Sequence, residues 1–334
     1  MSNEVKIGAA RVAGRVWIAP MTGVSDLPFR RMAARLGASY VATEMVACSE
    51  LARGRPDVVR RAAIGDGLPL MVVQLVGRDP RWIAEGARLA AAAGADLIDL
   101  NMGCPAREVT GAACGSALMR DLDLAEQLID AALGAGVPVS VKMRLGWDET
   151  SRNAPELAAR AERLGVGALT VHARTRSQFY SGAADWAAVA AVKQAVGVPV
   201  IVNGDIIDAA SATRALALSG ADGVMIGRGA YGRPWIARTV EAALDRRIAP
   251  EPDLDERLDI ALTHLDETLA FYGNVLGLKI FRKHLGWYVQ GAPAPVDPAR
   301  RREAKARLCR LERASEIETG LAALWDLGPQ RRAA

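Results

Sequence analysis

Aromatic residues, cysteines and histidines are scarce in this chain. Phe, Trp and Tyr make up 5% of its 334 residues, which include four cysteines and three histidines. The cysteines form no CxxC pair and have no zinc-like spacing to the histidines, so we expect a reducing cytoplasm and no structural metal. No apolar run of about eighteen residues occurs, and residues 1–20 lack the pattern of a signal peptide. The sequence therefore predicts a cytoplasmic protein that binds neither a metal ion nor a membrane.

Short Val/Ile-rich runs recur along the first two thirds of the chain, separated by stretches with helical spacing such as 80–93, 122–133 and 154–164. The runs occupy residues 16–19, 40–43, 70–74, 97–101, 137–143, 168–172, 198–203 and 223–226. Several helical stretches end in a glycine directly before the next run, which is typical of a helix stop. Eight strand–helix units over roughly 230 residues predict a (β/α)8 TIM barrel. A doubly wound open sheet is the alternative, but no GxGxxG follows the first strand.

Polar residues follow the predicted strands at their carboxyl ends. In chain order they are Pro20-Met21-Thr22, Glu44, Gln74, Asn101 with Cys104, Lys142 with Arg144, His172 with Arg174, Asn203-Gly204-Asp205 and Gly227-Arg228. Any one of them is readily explained as a polar residue of the barrel rim whose hydrogen bonds are all formed. Eight in succession predict a single ring of site residues, because barrel enzymes collect their chemistry at this end of the strands.

The pentapeptide Asn101-Met102-Gly103-Cys104-Pro105 presents a cysteine directly after a predicted strand. Pro105 pushes the preceding residue out of the helical region, so the thiol stands on a stiff turn. A free cysteine is often only a small buried hydrophobe. The surrounding ring of polar residues favours a chemical role for Cys104.

Glycine-rich turns follow strands seven and eight, at Asn203-Gly204-Asp205 and Gly227-Arg228-Gly229. In TIM barrels these loops commonly bind phosphate through backbone N–H groups and a helix N-terminus, and Arg228 adds a charged fork. With Lys142, Gln74 and His172 between them, they fit a flat phosphorylated cofactor such as flavin mononucleotide (FMN). A sugar phosphate would use the same loops, and glycines required only for tight turns are the structural alternative.

The ordered motifs resemble the tRNA-dihydrouridine synthases, most closely the bacterial B type. The matching segments are Ala19-Pro20-Met21-Thr22-Gly23, Asp99-Leu100-Asn101-Met102-Gly103-Cys104-Pro105, Val141-Lys142-Met143-Arg144, His172-Ala173-Arg174-Thr175-Arg176, Val202-Asn203-Gly204-Asp205, Ile226-Gly227-Arg228 and Lys283-His284-Leu285-Gly286-Trp287-Tyr288. The resemblance implies an FMN-binding barrel, NADPH as reductant and reduction of the C5=C6 bond of a D-loop uridine in tRNA.

The resemblance also implies roles for individual residues. Cys104 corresponds to the general acid that protonates C5 while flavin N5 gives hydride to C6, and Asn101 and Arg174 correspond to substrate-binding residues. The residues expected to bind FMN are Pro20, Met21, Thr22, Gln74, Lys142, His172, Asn203, Gly204, Asp205, Gly227 and Arg228. Two departures are Thr22, where relatives often have alanine, and Cys114 in the loop at 107–117, which we interpret as a packing residue.

After residue 248 the strand pattern ends, and helical segments at 254–271, 275–289, 298–313 and 315–327 predict a four-helix bundle. We therefore divide the chain into a barrel domain at 1–248 and a helical domain at 249–334. Residues 274–313 carry ten Lys/Arg against three Asp/Glu, which leaves +7 there and −3 elsewhere. Lys279, Arg282 and Lys283 share one helix face, which favours tRNA binding, although a charged run is usually only a solvated surface.

The sequence thus predicts a monomeric, FMN-dependent tRNA-dihydrouridine synthase. The first alternative is a flavin barrel of the dihydroorotate-dehydrogenase kind that acts on a free pyrimidine, which leaves the basic helices unexplained. The second is an RNA-binding protein whose barrel has lost its chemistry.

Overall fold

The computed structural model describes residues 4–291 and 297–325. It opens with an antiparallel hairpin that the sequence patterns did not predict, formed by β1 (Glu4–Ile7) and β2 (Ala10–Ala13). The strands are four residues long, too short for an alternating pattern to stand out. Ile7 and Val12 pack against Leu97 and Ala168 at the starts of barrel strands, so the hairpin covers the amino-terminal end of the barrel.

Eight parallel strands form the main sheet, and the predicted TIM barrel is confirmed. They are β3 (Val16–Ile18), β4 (Val46–Ala47), β5 (Val72–Val76), β6 (Leu97–Met102), β7 (Val139–Arg144), β8 (Ala168–His172), β9 (Val200–Asn203) and β10 (Gly223–Ile226). Their spatial order is β3-β10-β9-β8-β7-β6-β5-β4. Parallel bridges between Ile18 and Val41 and between Ala42 and Val72 close the ring.

The second predicted strand, at 40–43, is reduced to these two isolated bridges. The hydroxyl of Thr43 accepts a hydrogen bond from the backbone N–H of Gln74 at 2.9 Å and donates to the Glu44 carbonyl at 2.7 Å. A side chain thus takes a position that the ladder would otherwise fill, and regular pairing resumes only at Val46.

Helices follow the barrel strands, and most of them cover the outside of the ring. They are α1 (Leu27–Arg35), α2 (Cys48–Ala52), α3 (Pro56–Arg61), α4 (Pro80–Ala92), α5 (Arg107–Gly111), α6 (Leu122–Leu133), α7 (Ala154–Leu164), α8 (Val189–Ala195), α9 (Ala209–Ser219) and α10 (Ile236–Leu244). The predicted segments 122–133 and 154–164 match α6 and α7. Asp121 caps the first turn of α6 through the Leu124 N–H, and Gly165 ends α7 in a left-handed conformation, as expected of these residue types.

Four further helices follow, in agreement with the predicted bundle: α11 (Leu254–Tyr272), α12 (Asn274–Gln290), α13 (Pro298–Leu308) and α14 (Ala314–Leu324). The helix predicted at 298–313 ends earlier, at Leu308, and residues 326–327 of the last predicted helix lie outside the described residues. The apolar cluster of these helices also includes Met32 of α1 and Trp235 before α10, so the bundle packs directly on the barrel.

The predicted domain boundary at 248–249 falls in the connection between α10 and α11 and stays a prediction. Within the described parts of the chain, no helix is both long enough and apolar enough to cross a membrane.

Candidate active site

A cavity of about 960 Å³ opens at the carboxyl ends of the barrel strands. The structure brings together all the residues predicted to bind the cofactor, as well as Cys104 and Asn101. Those lining the cavity are Pro20, Met21, Thr22, Gln74, Asn101, Cys104, Lys142, His172, Asn203, Gly204, Asp205, Gly227 and Arg228. Seven of the eight predicted strand ends therefore contribute to this wall, while Glu44, after the second predicted strand, does not line the cavity.

A hydrogen-bonded chain connects the amides of Gln74 and Asn101 in this wall to the buried carboxyl group of Asp99 behind it. Gln74 Nε2 donates to Asp99 Oδ2 at 2.7 Å, and Asn101 Nδ2 donates to Gln74 Oε1 at 2.9 Å. Ser140 Oγ donates to the other oxygen of Asp99 at 2.7 Å. Burial raises the pKa of Asp99 to about 6, although the hydrogen bonds from Gln74 and Ser140 oppose the shift. These contacts fix the orientation of Gln74 and Asn101, since each amide group has a partner at both ends.

Asn101 also holds the turn that carries Cys104. Its Oδ1 accepts hydrogen bonds from the N–H groups of Gly103 at 3.2 Å and Cys104 at 2.9 Å. The Cys104 carbonyl in turn accepts from the backbone and hydroxyl of Ser116, at 3.1 and 2.8 Å. Gly115 packs so closely on this turn that a Cβ there would lie 2.8 Å from the Cys104 oxygen. The turn that carries the thiol is therefore anchored by Asn101 before it and by Ser116 after it in the sequence.

Burial raises the pKa of Cys104 above its usual value and outweighs the opposing effects of the Ala106 N–H, Arg144 and Lys142. The positive charge of Lys142 favours ionisation of the thiol but does not outweigh burial. The net upward shift keeps Cys104 protonated at neutral pH, so the side chain is able to donate a proton.

The pKa values of Lys142 and His172 are shifted downward, in the opposite direction to the pKa of Cys104. Burial lowers the pKa of Lys142 to about 8, and its Nζ donates to Asn203 Oδ1 at 3.2 Å. Burial, together with the charges of Arg144 and Lys142, lowers the pKa of His172 well below its usual value. Within the described residues His172 Nδ1 is buried and has no hydrogen-bond partner, so a neutral imidazole with an unused ring nitrogen stands in the cavity wall.

Arg174, predicted to contact substrate, does not line the cavity. It is 1% exposed, and its guanidinium donates to both oxygens of Asp205, at 3.0 and 2.5 Å. Burial opposes ionisation of Asp205, but the hydrogen bonds from Arg174 and the Ala184 N–H hold the pKa of that carboxyl below its usual range. Arg174 thus fixes Asp205, which stands at the cavity surface with a left-handed φ of 53°.

The two glycine-rich turns meet beside Asp205. Arg228 Nη2 donates to Asp205 Oδ1 at 3.2 Å, and a Cβ on Gly229 would lie 2.7 Å from the Ile206 oxygen. The N-terminus of α9, however, is capped by its own Asp208, which accepts from the Ser211 N–H at 2.7 Å. Any phosphate here would therefore meet the turns and Arg228 rather than the N-terminus of α9.

The three basic residues of α12 lie outside the cavity. Lys283 Nζ donates to the Gly23 carbonyl at 3.3 Å, beside the loop that carries Pro20, Met21 and Thr22. Lys279 is exposed and Arg282 is half-buried. The structure therefore places this helix next to the cavity mouth, and of its three basic residues only Lys283 forms a hydrogen bond with a cavity loop within the described part of the chain.

Several cavity residues were not predicted from the sequence. Tyr180 lies under two guanidiniums, with Arg228 at 5.0 Å and Arg144 at 5.6 Å from its ring centre. Tyr231 stacks on Trp287 of α12 with ring centres 3.9 Å apart. Tyr180 and Tyr231 lie in loops, where no periodic pattern identifies them. Cys114 does not line the cavity, and the described residues contain no cluster of three or more potential metal ligands.

Comparison with solved structures shows the same fold in distant proteins. Histamine dehydrogenase from Rhizobium sp. 4-9 superposes with a TM-score of 0.57 at 14% identity, covering 79% of this chain and 50% of that one. A 2-naphthoyl-CoA reductase superposes with a TM-score of 0.55 at 11% identity, covering 74% of this chain and 52% of that one. At such identities the likeness concerns the fold alone.

Comparison with curated sequences reveals much closer relatives. A probable tRNA-dihydrouridine synthase of Rhodobacter capsulatus is 52% identical over 296 residues, which cover 87% of this chain and 91% of that protein. One of Rhizobium leguminosarum is 50% identical, covering 85% and 88%. The tRNA-dihydrouridine synthase B of Pseudomonas putida is 44% identical, covering 87% of each. The family model described as Dihydrouridine synthase (Dus) matches residues 17–318, so this chain belongs to the dihydrouridine synthase family.

Proposed function

We propose that this protein is a tRNA-dihydrouridine synthase that uses FMN and NADPH to reduce the C5=C6 bond of a D-loop uridine in tRNA. The observation that carries the proposal is the single cavity in which Cys104, Asn101, Lys142 and His172 meet the two glycine-rich turns. The family match favours this reaction over an oxidoreductase for free pyrimidines.

The cavity wall fits a flavin mononucleotide. The unpartnered Nδ1 of His172 and the ammonium of Lys142 provide polar groups for the ring system, and Gln74 provides an amide. A phosphate would meet Arg228 and the Gly204 and Gly227 turns, where absent side chains leave the backbone accessible. A bound flavin would supply the hydride, a reaction that no side chain of the cavity provides.

The protein residues would supply the proton and the orientation of the uracil. Cys104 retains its proton at neutral pH because of burial, and it would donate that proton to C5. Asn101 holds the Cys104 turn through its Oδ1. Its Nδ2 also faces Met45 Sδ at 3.9 Å, a weak contact that a uracil carbonyl would replace with a stronger hydrogen bond.

The helices after the barrel would bind the tRNA. A uridine that enters the cavity must leave its stack, which costs a few kcal/mol. Phosphate contacts by Lys279, Arg282 and Lys283 would offset this cost, and they lie on the helix that adjoins the mouth. We propose further that the protein acts as a monomer in the cytoplasm.

The proposal is tested by incubating the purified protein with FMN, NADPH and an unmodified tRNA transcript. We expect mass spectrometry of the digested RNA to show one uridine heavier by two hydrogen atoms. A flavin-loaded protein that leaves every uridine unchanged would contradict the proposed reaction. A protein that binds the transcript but no flavin would instead support the RNA-binding alternative.

A further inference from the structure

A second group of basic residues stands on the barrel rim, remote from α12 in the sequence. Arg120 and Arg176 both lie against the indole of Trp147, with guanidinium carbons 4.9 and 4.6 Å from the ring centre. Arg120 is exposed, and the other two residues are half-buried. We call these three residues the Arg–Trp–Arg cluster.

The cluster is held in place by its backbone. The Arg176 N–H donates to the Gly146 carbonyl at 2.9 Å, and the Ser177 N–H donates to the Trp147 carbonyl at 2.8 Å. Arg176 Nη2 also donates to Thr110 Oγ1 of α5 at 3.3 Å. Glu108 and Val109, in the same helix as Thr110, line the cavity, so the cluster adjoins the cavity rim.

In the part of the chain that the structure describes, the two guanidiniums of the cluster lack an acidic partner. Within the described residues neither forms an ion pair, whereas nearby Arg152 pairs with Glu149 and Asp185 at 2.7 and 2.8 Å. A cation–π contact orients an arginine without neutralising its charge. The cluster therefore presents two oriented positive charges, which suits the oxygen atoms of a phosphodiester.

A second stack of the same kind provides an internal comparison. Arg53 and Arg81 lie 5.9 and 4.7 Å from the ring centre of Trp82, but each has a carboxylate partner, Glu50 at 3.0 Å and Asp79 at 3.9 Å. None of these residues lines the cavity. Arginines in an Arg–Trp stack with a purely structural role can thus be neutralised by carboxylates. The Arg–Trp–Arg cluster differs because its two positive charges remain available to a ligand.

The position of the cluster on the ring identifies the partner. Helix α12 contacts the loop after β3 through Lys283 and the segment after β10 through Trp287. The cluster follows β6, β7 and β8, and in the ring order β7 lies opposite β3 and β6 lies opposite β10. An RNA that contacts α12 and continues across the mouth reaches the far rim, where the cluster stands.

We propose that Arg120 and Arg176, oriented by Trp147, bind backbone phosphates of the substrate RNA on the rim opposite α12. This inference rests on the proposed function, because it takes the RNA bound at the mouth to be the substrate. The same charges would also suit a phosphate group of NADPH, and the experiment separates the two sources.

The test uses the flavin-loaded full chain carrying Arg120→Gln and Arg176→Gln. We expect the affinity for a tRNA transcript to fall about tenfold or more, because two charged hydrogen-bond donors are lost. The slope of log affinity against log salt concentration should become shallower by about 1.5 to 2. The lysine variants Arg120→Lys and Arg176→Lys should retain most of that slope, since they keep the charge.

The matched control is the double variant Arg53→Gln and Arg81→Gln, which removes two arginines from the charge-neutralised stack. It should bind the transcript within about twofold of the wild type, because both arginines are paired with carboxylates and lie away from the cavity. If the two double variants behave alike, the proposal is wrong. If the cluster variant does not fold, the single change at exposed Arg120 decides, with an expected loss of about one unit of slope.

The rate at which NADPH reduces the bound flavin without RNA gives the second readout. We expect the cluster variant to match the wild type. A slower rate with unchanged transcript affinity would assign the cluster to the reductant and overturn the proposal. If the wild type forms no dihydrouridine, the proposed function fails, whereas the transcript-binding comparison still decides whether the cluster contacts RNA.

Discussion

Burial determines the charge of three ionisable residues in the cavity wall. It raises the pKa of Cys104, lowers that of Lys142 to about 8 and lowers that of His172 well below its usual value. At neutral pH the wall therefore holds a protonated thiol, a neutral imidazole and a mostly protonated ammonium. A reduction in which negative charge develops requires a proton donor beside a cation, and Cys104 and Lys142 provide these two groups.

Burial of Asp26 likewise predicts that the stability of the fold depends on pH through this residue. Its side chain caps α1 by accepting the Phe29 N–H at 3.1 Å, but burial raises its pKa to about 6, and the charge of Glu44 adds to the shift. The folded state thus binds a proton more tightly than the unfolded state, and stability from this group is lost as the pH rises toward 6. Above that pH the buried carboxylate destabilises the fold.

Asp26→Asn should therefore stabilise the protein, since asparagine keeps the capping oxygen and removes the charge. We expect the thermal midpoint at pH 7.5 to rise by about 2–4 °C. The difference should shrink between pH 6 and 4 and vanish below pH 4, where both side chains are neutral. Scanning calorimetry of both proteins across this range is the measurement. A lower midpoint at pH 7.5, or a difference independent of pH, would contradict the assignment.

Residue types at strand ends identified the cavity wall but not every role within it. Gln74 and Lys142 follow apolar runs, and their side chains do reach the cavity. Arg174 occupies an equivalent position, but Asp205, 31 residues later, holds its guanidinium inside the wall. The strand pattern specifies which residue stands at the end of a strand. A long-range partner determines where its charge lies, and a single sequence does not reveal that partner.

At the level of elements, the contact between α12 and the barrel depends on a close backbone approach. Gly232 has a φ of 66°, and a Cβ there would lie 2.7 Å from the Trp287 carbonyl oxygen. The stack of Tyr231 on Trp287 and the hydrogen bond from Lys283 to Gly23 stand beside this contact. Together they connect the helix proposed to bind RNA with the cavity wall.

Gly232→Ala should disturb this contact. A fair control is Gly220→Ala, because Gly220 has nearly the same φ, 63°, and no atom within 4 Å of its added Cβ. Both variants share the strain of a left-handed alanine, about 1 kcal/mol. Only the first also meets the α12 backbone, so we expect its thermal midpoint to fall about 4 °C or more below that of the control.

Transcript affinity should also decrease in Gly232→Ala and not in Gly220→Ala, with the flavin content of both proteins unchanged. Thermal unfolding and transcript titration measure the two effects. Equal midpoints and equal affinities in the two variants would show that the close approach does not position α12.

The helices α6 and α7, which have local start and stop residues, were predicted with correct bounds, as were the strands β8 and β10. Asp121 and Gly165 delimit α6 and α7, and both act within one turn of the helix. The hairpin of β1 and β2 was missed, and the strand at 40–43 was overestimated, because its ladder is interrupted by the Thr43 side chain. Pairing across a sheet depends on distant residues, which a single sequence does not display.

In the whole molecule, charge is not simply divided between a basic helical bundle and an acidic barrel, because the helices of the bundle differ from one another in sign. Helix α11 carries five acidic residues and one arginine, whereas α12 has three basic residues and no acid, and α13 has five basic residues and one acid. Among the four helices after the barrel, α12 and α13 are therefore positively charged, while α11 has the opposite sign. Like-charge repulsion from α11 would favour binding of the RNA over α12 and α13.

The central claim is that the barrel mouth performs the reduction and that Cys104 supplies the proton. The decisive measurement separates the two halves of the reaction in Cys104→Ala, with Cys114→Ala as the control, since Cys114 lies outside the cavity wall. We expect both variants to retain flavin and to match the wild type in reduction of that flavin by NADPH. Formation of dihydrouridine in the tRNA transcript should fall at least about a hundredfold in Cys104→Ala alone. Wild-type formation of dihydrouridine by Cys104→Ala would contradict the account.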